Sequence, residues 1–128
     1  MKQTQILIVE DDVKMRTALR EIMFKEGYSV ETVGTGEAAL AKIGTTNYDL
    51  VITDLKLPGI DGMDILKAIR KSRPEISTVM ITAYATVDTA VEAMKEGAED
   101  YIAKPFNLDE IRIIVKKVLE RKALVDDN

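Results

Sequence analysis

Ile6-Leu7-Ile8-Val9-Glu10-Asp11-Asp12 passes from an unbroken apolar run into three consecutive acids, and that kind of transition recurs along the chain. Tyr48-Asp49-Leu50-Val51-Ile52-Thr53 leads into Asp54, Thr78-Val79-Met80-Ile81 into Thr82, and Asp100-Tyr101-Ile102-Ala103 into Lys104-Pro105. Short apolar runs of this kind read as strands buried on both faces of a parallel sheet. In such a sheet all strands end on one edge, and ligands bind at the carboxyl edge. The four endings therefore bring carboxylates, a hydroxyl and an ammonium together. That set of groups suits a divalent cation and a phosphoryl group.

Between the strands the pattern is helical. Met15, Ala18, Leu19 and Ile22 mark one face of a first helix, with Asp12 at its N-cap position and Gly27-Tyr28 at its end. Ser29–Val33 reads as a short strand. Ala39, Leu40 and Ile43 mark a second helix after Thr35-Gly36, and Ile65, Leu66 and Ile69 a third that stops before Pro74. Val87, Ala90, Val91 and Met94 stand at i, i+3, i+4 and i+7 of a fourth helix, which stops at Gly97. Asn107 caps a fifth, with Glu110 at the capping-box position and Leu108, Ile111, Val115 and Val118 as its buried stripe. Five βα units in a row predict an α/β, flavodoxin-like, doubly wound fold: five parallel strands in the order 2-1-3-4-5 with five helices. A length of 128 residues fits one domain. The helical pattern persists through Leu119–Val125, longer than so small a sheet requires. We expect a domain over 1–121, with 122–128 as a tail or the start of a linker.

Composition removes several function classes. There is no cysteine, so disulfides, thiolate metal sites and cysteine nucleophiles are excluded. There is no histidine, so Ser–His catalysis within the chain is excluded, as is the usual zinc ligand. A formal net charge of −4 disfavours direct binding to nucleic acid. No apolar run is long enough to span a bilayer, and Met1-Lys2-Gln3 leads straight into a strand with no signal-peptide core. A soluble cytoplasmic protein is expected.

Glu10, Asp11 and Asp54 form the sharpest cluster, because strands 1 and 3 are neighbours in the expected order. Close carboxylates repel unless a cation joins them. Oxygen-only ligands select magnesium. Strand-end acids are often merely solvated or cap helices. That plain reading suits Asp12, which precedes a helix, better than Asp54, which has no adjacent helix to cap. Asp54 admits two roles: metal ligand alone, or also nucleophile toward phosphorus. Lys104 offers a charge and Thr82 a hydroxyl for a transferred phosphoryl group, with backbone N–H groups near Lys56 and Ala83 completing a cradle. Singly, Thr82 and Lys104 are an ordinary strand-end threonine and a surface lysine; on one edge together they favour phosphoryl chemistry. Pro105 after Lys104 admits a cis bond that would aim the side chain.

The chain resembles the receiver domain of two-component response regulators, the group that includes the chemotaxis regulator. The resemblance covers essentially its whole length. It rests on Ile-Leu-Ile-Val-Glu-Asp-Asp at the start, Asp54-Leu-Lys-Leu-Pro-Gly-Ile-Asp-Gly62, Met80-Ile-Thr-Ala83 and Asp100-Tyr-Ile-Ala-Lys-Pro-Phe106. Residues 83–94 and 97–106 look most like NtrC-type regulators, in which the receiver precedes an ATPase domain that activates σ54 RNA polymerase and then a DNA-binding domain. The resemblance implies that Asp54 is the phosphoacceptor for a sensor histidine kinase. It implies magnesium held by Glu10, Asp11, Asp54 and the Lys56 carbonyl, with Glu10 binding through water. It implies phosphoryl contacts from Thr82 and Lys104, and a switch through Thr82 and Tyr101. The chain modifies only itself and is not expected to be an enzyme in the usual sense.

The implied output face is helix 4, strand 5 and helix 5. It carries Glu92, Lys95, Glu96, Asp100, Arg112, Lys116 and Lys117, a mixture of signs that suits a two-fold, phosphorylation-dependent homodimer. Alternatives from other classes are a stand-alone phosphorelay receiver and a magnesium-dependent phosphohydrolase with an aspartate nucleophile. The phosphohydrolase is disfavoured by Lys56, which occupies the place of its general acid. Flavodoxin-type cofactor binding is disfavoured because no Ser/Thr/Gly-rich loop follows the first strand.

Overall fold

The computed structural model describes residues 3–126. Five strands alternate with five helices: β1 (Gln5–Val9), α1 (Val13–Lys25), β2 (Ser29–Val33), α2 (Gly36–Thr45), β3 (Leu50–Asp54), α3 (Gly62–Ser72), β4 (Ser77–Thr82), α4 (Val87–Lys95), β5 (Asp100–Ala103) and α5 (Leu108–Asp126). The strands form one parallel sheet in the expected order β2-β1-β3-β4-β5. α5 runs unbroken across the expected boundary at 121/122, and the last two residues of the expected tail lie outside those described.

Period-two alternation along each strand divides the core between the two faces of the sheet. Ile6, Ile8, Leu50, Ile52, Val79 and Ile81 point to one face, where they meet Leu19 and Met23 of α1 and Ile111, Val115 and Val118 of α5. Leu7, Val9 and Val51 point to the other, against Ala39 and Ile43 of α2 and Ile65 and Ile69 of α3. Leu55, Leu66, Met80, Ala93 and Ala98 continue that second layer toward α4. Burial on both faces is why β1 and β3 read as continuous apolar runs.

The expected caps at Asp12 and Asn107 are present, and Thr35 and Asp61 cap two further helices. The Asp12 and Thr35 side chains accept from Lys14 N–H and Ala38 N–H, and Asp61 and Asp64 close a reciprocal box at the start of α3. Asn107 Oδ1 accepts from Glu110 N–H at 2.8 Å.

Two expected stripes differ. In α4, Val87, Val91 and Met94 are 78%, 46% and 50% exposed, whereas Ala93 is fully buried. The helix turns its smallest side chains to the sheet, because the alanines of α4 and of the turn that follows it allow a close approach over Met80. The apolar periodicity of α4 thus marks its outer face. In α5, Leu108 lies at the rim, 37% exposed, while Ile111, Val115 and Val118 are buried as expected.

One close approach positions the site. A Cβ on Gly62 would sit 2.2 Å from the Asp54 carbonyl oxygen, so α3 begins directly against the end of β3. Gly62→Ala should lower stability by about 1–3 kcal/mol through overpacking. Gly44→Ala, in α2 with nothing within 4 Å of the added carbon, should raise it by about 0.5–1 kcal/mol. Urea unfolding of the two variants should move the midpoint in opposite directions.

Candidate functional site

The strand register sets the site. Val9 pairs with Thr53 and Asp54 with Ile81, so the residues just beyond β1 and β4 flank the end of β3. Glu10 is fully buried, Asp54 is 7% exposed and Asp11 is open to solvent. One ligand oxygen from each of the three lies within 4.8 Å of the others. Among the described residues this is the group of acids that could hold a metal ion. Asp12 stands apart as the N-cap of α1, as its position before a helix predicts.

Lys104 joins the ends of β1 and β3 from the edge of the sheet. Its Nζ donates to Glu10 Oε1 at 2.6 Å and to Asp54 Oδ2 at 2.8 Å. The Lys104 side chain is 17% exposed, those of Glu10 and Asp54 1% and 9%. The Lys104–Pro105 bond is cis, and Lys104 N–H donates to the Thr82 carbonyl at 2.7 Å. The other Asp54 oxygen, Oδ1, accepts from Lys56 N–H at 3.0 Å. Glu10 Oε2 accepts from Asp12 N–H at 3.2 Å.

Burial pushes the Glu10 carboxyl above its ordinary value of 4.5, with the Asp54 charge adding to the rise; the hydrogen bonds from Lys104 and Asp12 N–H oppose it without cancelling it. Burial alone would lower Lys104. Its hydrogen bonds to Asp54 and Glu10 and their charges together outweigh that, so the ammonium is held more firmly than usual.

Thr82 and Tyr101 lie beyond this knot. Thr82 is fully buried, and its Oγ1 accepts from Tyr84 N–H at 2.9 Å. Tyr101 is half-buried against the Leu55–Met80–Ala93 cluster, with its hydroxyl 2.6 Å from Thr89 Oγ1. The ring is therefore already packed against α4. Several of the charges expected on the output face are engaged within the chain; Asp100 Oδ1 accepts from Tyr101 N–H at 2.8 Å. Glu96 is met by Arg70 of α3 at 3.5 Å, and Arg112 lies 3.8 Å from Glu26 and 3.4 Å from Asp109.

Sequence reading overlooked three participants. Gly62 abuts Asp54. Arg16 Nη1 donates to the Glu10 carbonyl at 2.9 Å and holds the end of β1. Thr89 meets Tyr101. Of these, Thr89 left a readable trace, since Thr86-x-x-Thr89 before an apolar stripe has the spacing of a capping box.

A buried pair of carboxylates and an exposed third face a single ammonium, all through oxygen. This is a donor set that fits magnesium.

A parallel 2-1-3-4-5 sheet with an acid cluster and a lysine at its carboxyl edge is an arrangement consistent with a phosphorylation site. The model of the response regulator receiver domain matches residues 6–116, and the chain belongs to that family. It is 37% identical over 123 residues to the transcriptional regulatory protein ZraR of Klebsiella oxytoca, covering 96% of this chain and 28% of ZraR. The signal receiver domain of a LuxO protein from Vibrio parahaemolyticus superposes with a TM-score of 0.93 at 34% identity, covering 98% of this chain and 96% of that one. NtrX from Brucella abortus superposes at 0.91 with 34% identity over 98% of this chain and 29% of NtrX. The chain thus spans less than a third of the longer relatives, ZraR and NtrX. The expected likeness to NtrC-type regulators holds. Among the described residues no helix is long and apolar enough to cross a membrane.

Because the folded pKa of Glu10 lies above its unfolded value, the group contributes stability that is full below pH 4.5 and lost as pH rises through the folded value. A carboxyl-carbon NMR titration of the metal-free protein should place Glu10 above 4.5. Asp54→Asn, which removes a neighbouring charge and leaves Lys104 to Glu10, should bring that midpoint down.

Proposed function

We propose that the chain takes a phosphoryl group onto Asp54 from a sensor histidine kinase and converts it into a change of its α4–β5–α5 face. The observation that carries this reading is the Lys104 ammonium, 2.8 Å from Asp54 Oδ2 on a buried strand end. A carboxylate oxygen of Asp54 forms the bond to phosphorus as the bond from phosphorus to the donor atom breaks, and that electron pair leaves with the donor. Lys104 stands where charge develops on the phosphoryl oxygens, and Lys56 N–H holds the second carboxylate oxygen in place. Glu10, Asp11, Asp54 and the Lys56 carbonyl would hold magnesium, Glu10 through water. When bound, that ion would neutralise charge on the carboxylates and the phosphoryl oxygens.

Phosphorylation adds about −1.5 to −2 charge and three acceptor oxygens beside Thr82 and Lys104. In this reading Thr82 turns its hydroxyl to the new oxygens, and Tyr101 and α4 follow. The exposed stripe of Val87, Val91 and Met94 supports the same face as an interaction surface, since apolar patches rimmed by charge mark contact sites. A second copy meeting it across a two-fold axis would pair the mixed charges that remain on that face. Names such as "transcriptional regulatory protein" among the relatives support an output in transcription, made by partners or further segments rather than by direct contact of this acidic domain with nucleic acid.

Incubation with acetyl phosphate and magnesium should add one phosphoryl group by intact mass, and Asp54→Asn should abolish the gain. Lys104→Met should slow the reaction by about 10²-fold. A gain that survives Asp54→Asn overturns the assignment. Tyr101→Ala should still take the phosphoryl group, while sedimentation with beryllofluoride should show weaker dimerisation than in the parent; unchanged dimerisation would remove Tyr101 from the switch.

A further inference from the structure

We propose that Thr89 is a positioning residue that ties Tyr101 to the N-terminus of α4, so that the phenol and the helix cap share one hydroxyl. The proposal rests on the phosphoacceptor reading above and extends it to the route by which a change near Asp54 reaches Tyr101.

α4 begins with a reciprocal capping box. Thr86 Oγ1 accepts from Thr89 N–H, and Thr89 Oγ1 accepts from Thr86 N–H, both at 3.1 Å. Thr89 Oγ1 also lies 2.9 Å from Thr86 Oγ1, 3.1 Å from the Thr86 carbonyl and 2.6 Å from the Tyr101 hydroxyl. A threonine hydroxyl has one hydrogen to donate and two lone pairs to accept with. Thr86 N–H takes one lone pair. The single hydrogen and the remaining lone pair are shared between Thr86 and Tyr101: either the phenol donates to Thr89 and the Thr89 hydrogen goes to Thr86, or the Thr86 hydroxyl donates to Thr89 and the Thr89 hydrogen goes to the phenol. In both arrangements Thr89 Oγ1 is saturated. A shift of the cap that reorients this hydroxyl displaces the phenol, and a phenol that leaves removes one bond from the cap hydroxyl.

The other end of the route is also in place. Thr82 Oγ1 accepts from Tyr84 N–H at 2.9 Å, and only Ala85 separates Tyr84 from the cap residue Thr86. Recruitment of the Thr82 hydroxyl by a group on Asp54 would pull on the segment that carries the cap. From Thr82 to Tyr101 the connection runs through Tyr84 N–H, Thr86 and Thr89. It does not need space to open beside the Tyr101 ring, which already packs against Met80, Ala93 and their neighbours. The neighbouring apolar stripe of α4 plays no part in these bonds, so the cap can be altered without changing the exposed face.

Tyr101→Phe deletes the phenol and leaves the ring and the capping box. Thr89→Val keeps the shape and deletes the shared hydroxyl. Thr89→Ser restores the hydroxyl. With beryllofluoride and magnesium titrated into the full chain and followed by amide shifts, Tyr101→Phe and Thr89→Val should each change the half-saturating concentration by about fivefold, in the same direction. The double variant should match Thr89→Val alone, and Thr89→Ser should behave as the parent. Additive shifts, opposite shifts, no shift or a serine variant that behaves like valine would each overturn the assignment. A parent chain that binds no beryllofluoride would overturn this inference together with the phosphoacceptor reading. A parent that binds it, with loss in Asp54→Asn and with unshifted Tyr101→Phe and Thr89→Val, would overturn the Thr89 assignment alone.

Discussion

The Lys104 ammonium bound to Glu10 and Asp54 is the interaction on which the carboxyl edge of the sheet depends. Ionised carboxylates removed from water are costly, and two side by side also repel. Three strand ends meet at this point, and each brings part of the answer: β1 the Glu10 carboxylate, β3 Asp54, and the segment after β5 the balancing charge. The balance is incomplete, since burial still raises Glu10 above its ordinary value. A residual negative charge in a site built from oxygen is what a divalent cation and a phosphoryl group together can use.

The rest of the edge is arranged so that this knot stays small and stiff. Gly62 lets α3 start against the Asp54 carbonyl, where any side chain would collide with the main chain. Arg16 holds the Glu10 carbonyl from α1, and Lys56 N–H holds Asp54 Oδ1 from the loop. Toward β5 the edge is held differently. Its bonds run through hydroxyls, from Thr82 by way of the loop to Thr86, Thr89 and Tyr101. Hydroxyls rotate and exchange partners at low cost, whereas packed main chain does not. In the proposed function, the rigid half suits phosphoryl transfer to Asp54, and the half built on hydroxyls suits a change of shape.

α4 shows the same division in its packing. It buries Ala93 and leaves Val87, Val91 and Met94 in solvent. A helix held to the sheet by small side chains has less buried apolar area to oppose its movement than α5, which inserts Ile111, Val115 and Val118 into the core. In the proposed switch, its outward stripe is the surface that a partner would meet.

Strand endings were the legible part of this protein. Glu10, Asp11, Asp54 and Lys104 each follow an apolar run, and a parallel sheet can place such endings only on one edge, so both the fold and the acid–lysine cluster follow from the order of residues along the chain. Asp12 and Asn107 as helix caps were legible for a related reason: a cap bonds to its own next turn. What the tertiary structure alone decided was how the elements are turned toward one another. The rotation of α4 that hides Ala93, the two-sided grip of Lys104, the contact of Gly62 with Asp54 and the bond from Thr89 to Tyr101 all join residues set in place by different elements. Local periodicity shows that a helix has two unlike faces. Which face is buried is settled by close packing against neighbours that the sequence does not place beside it.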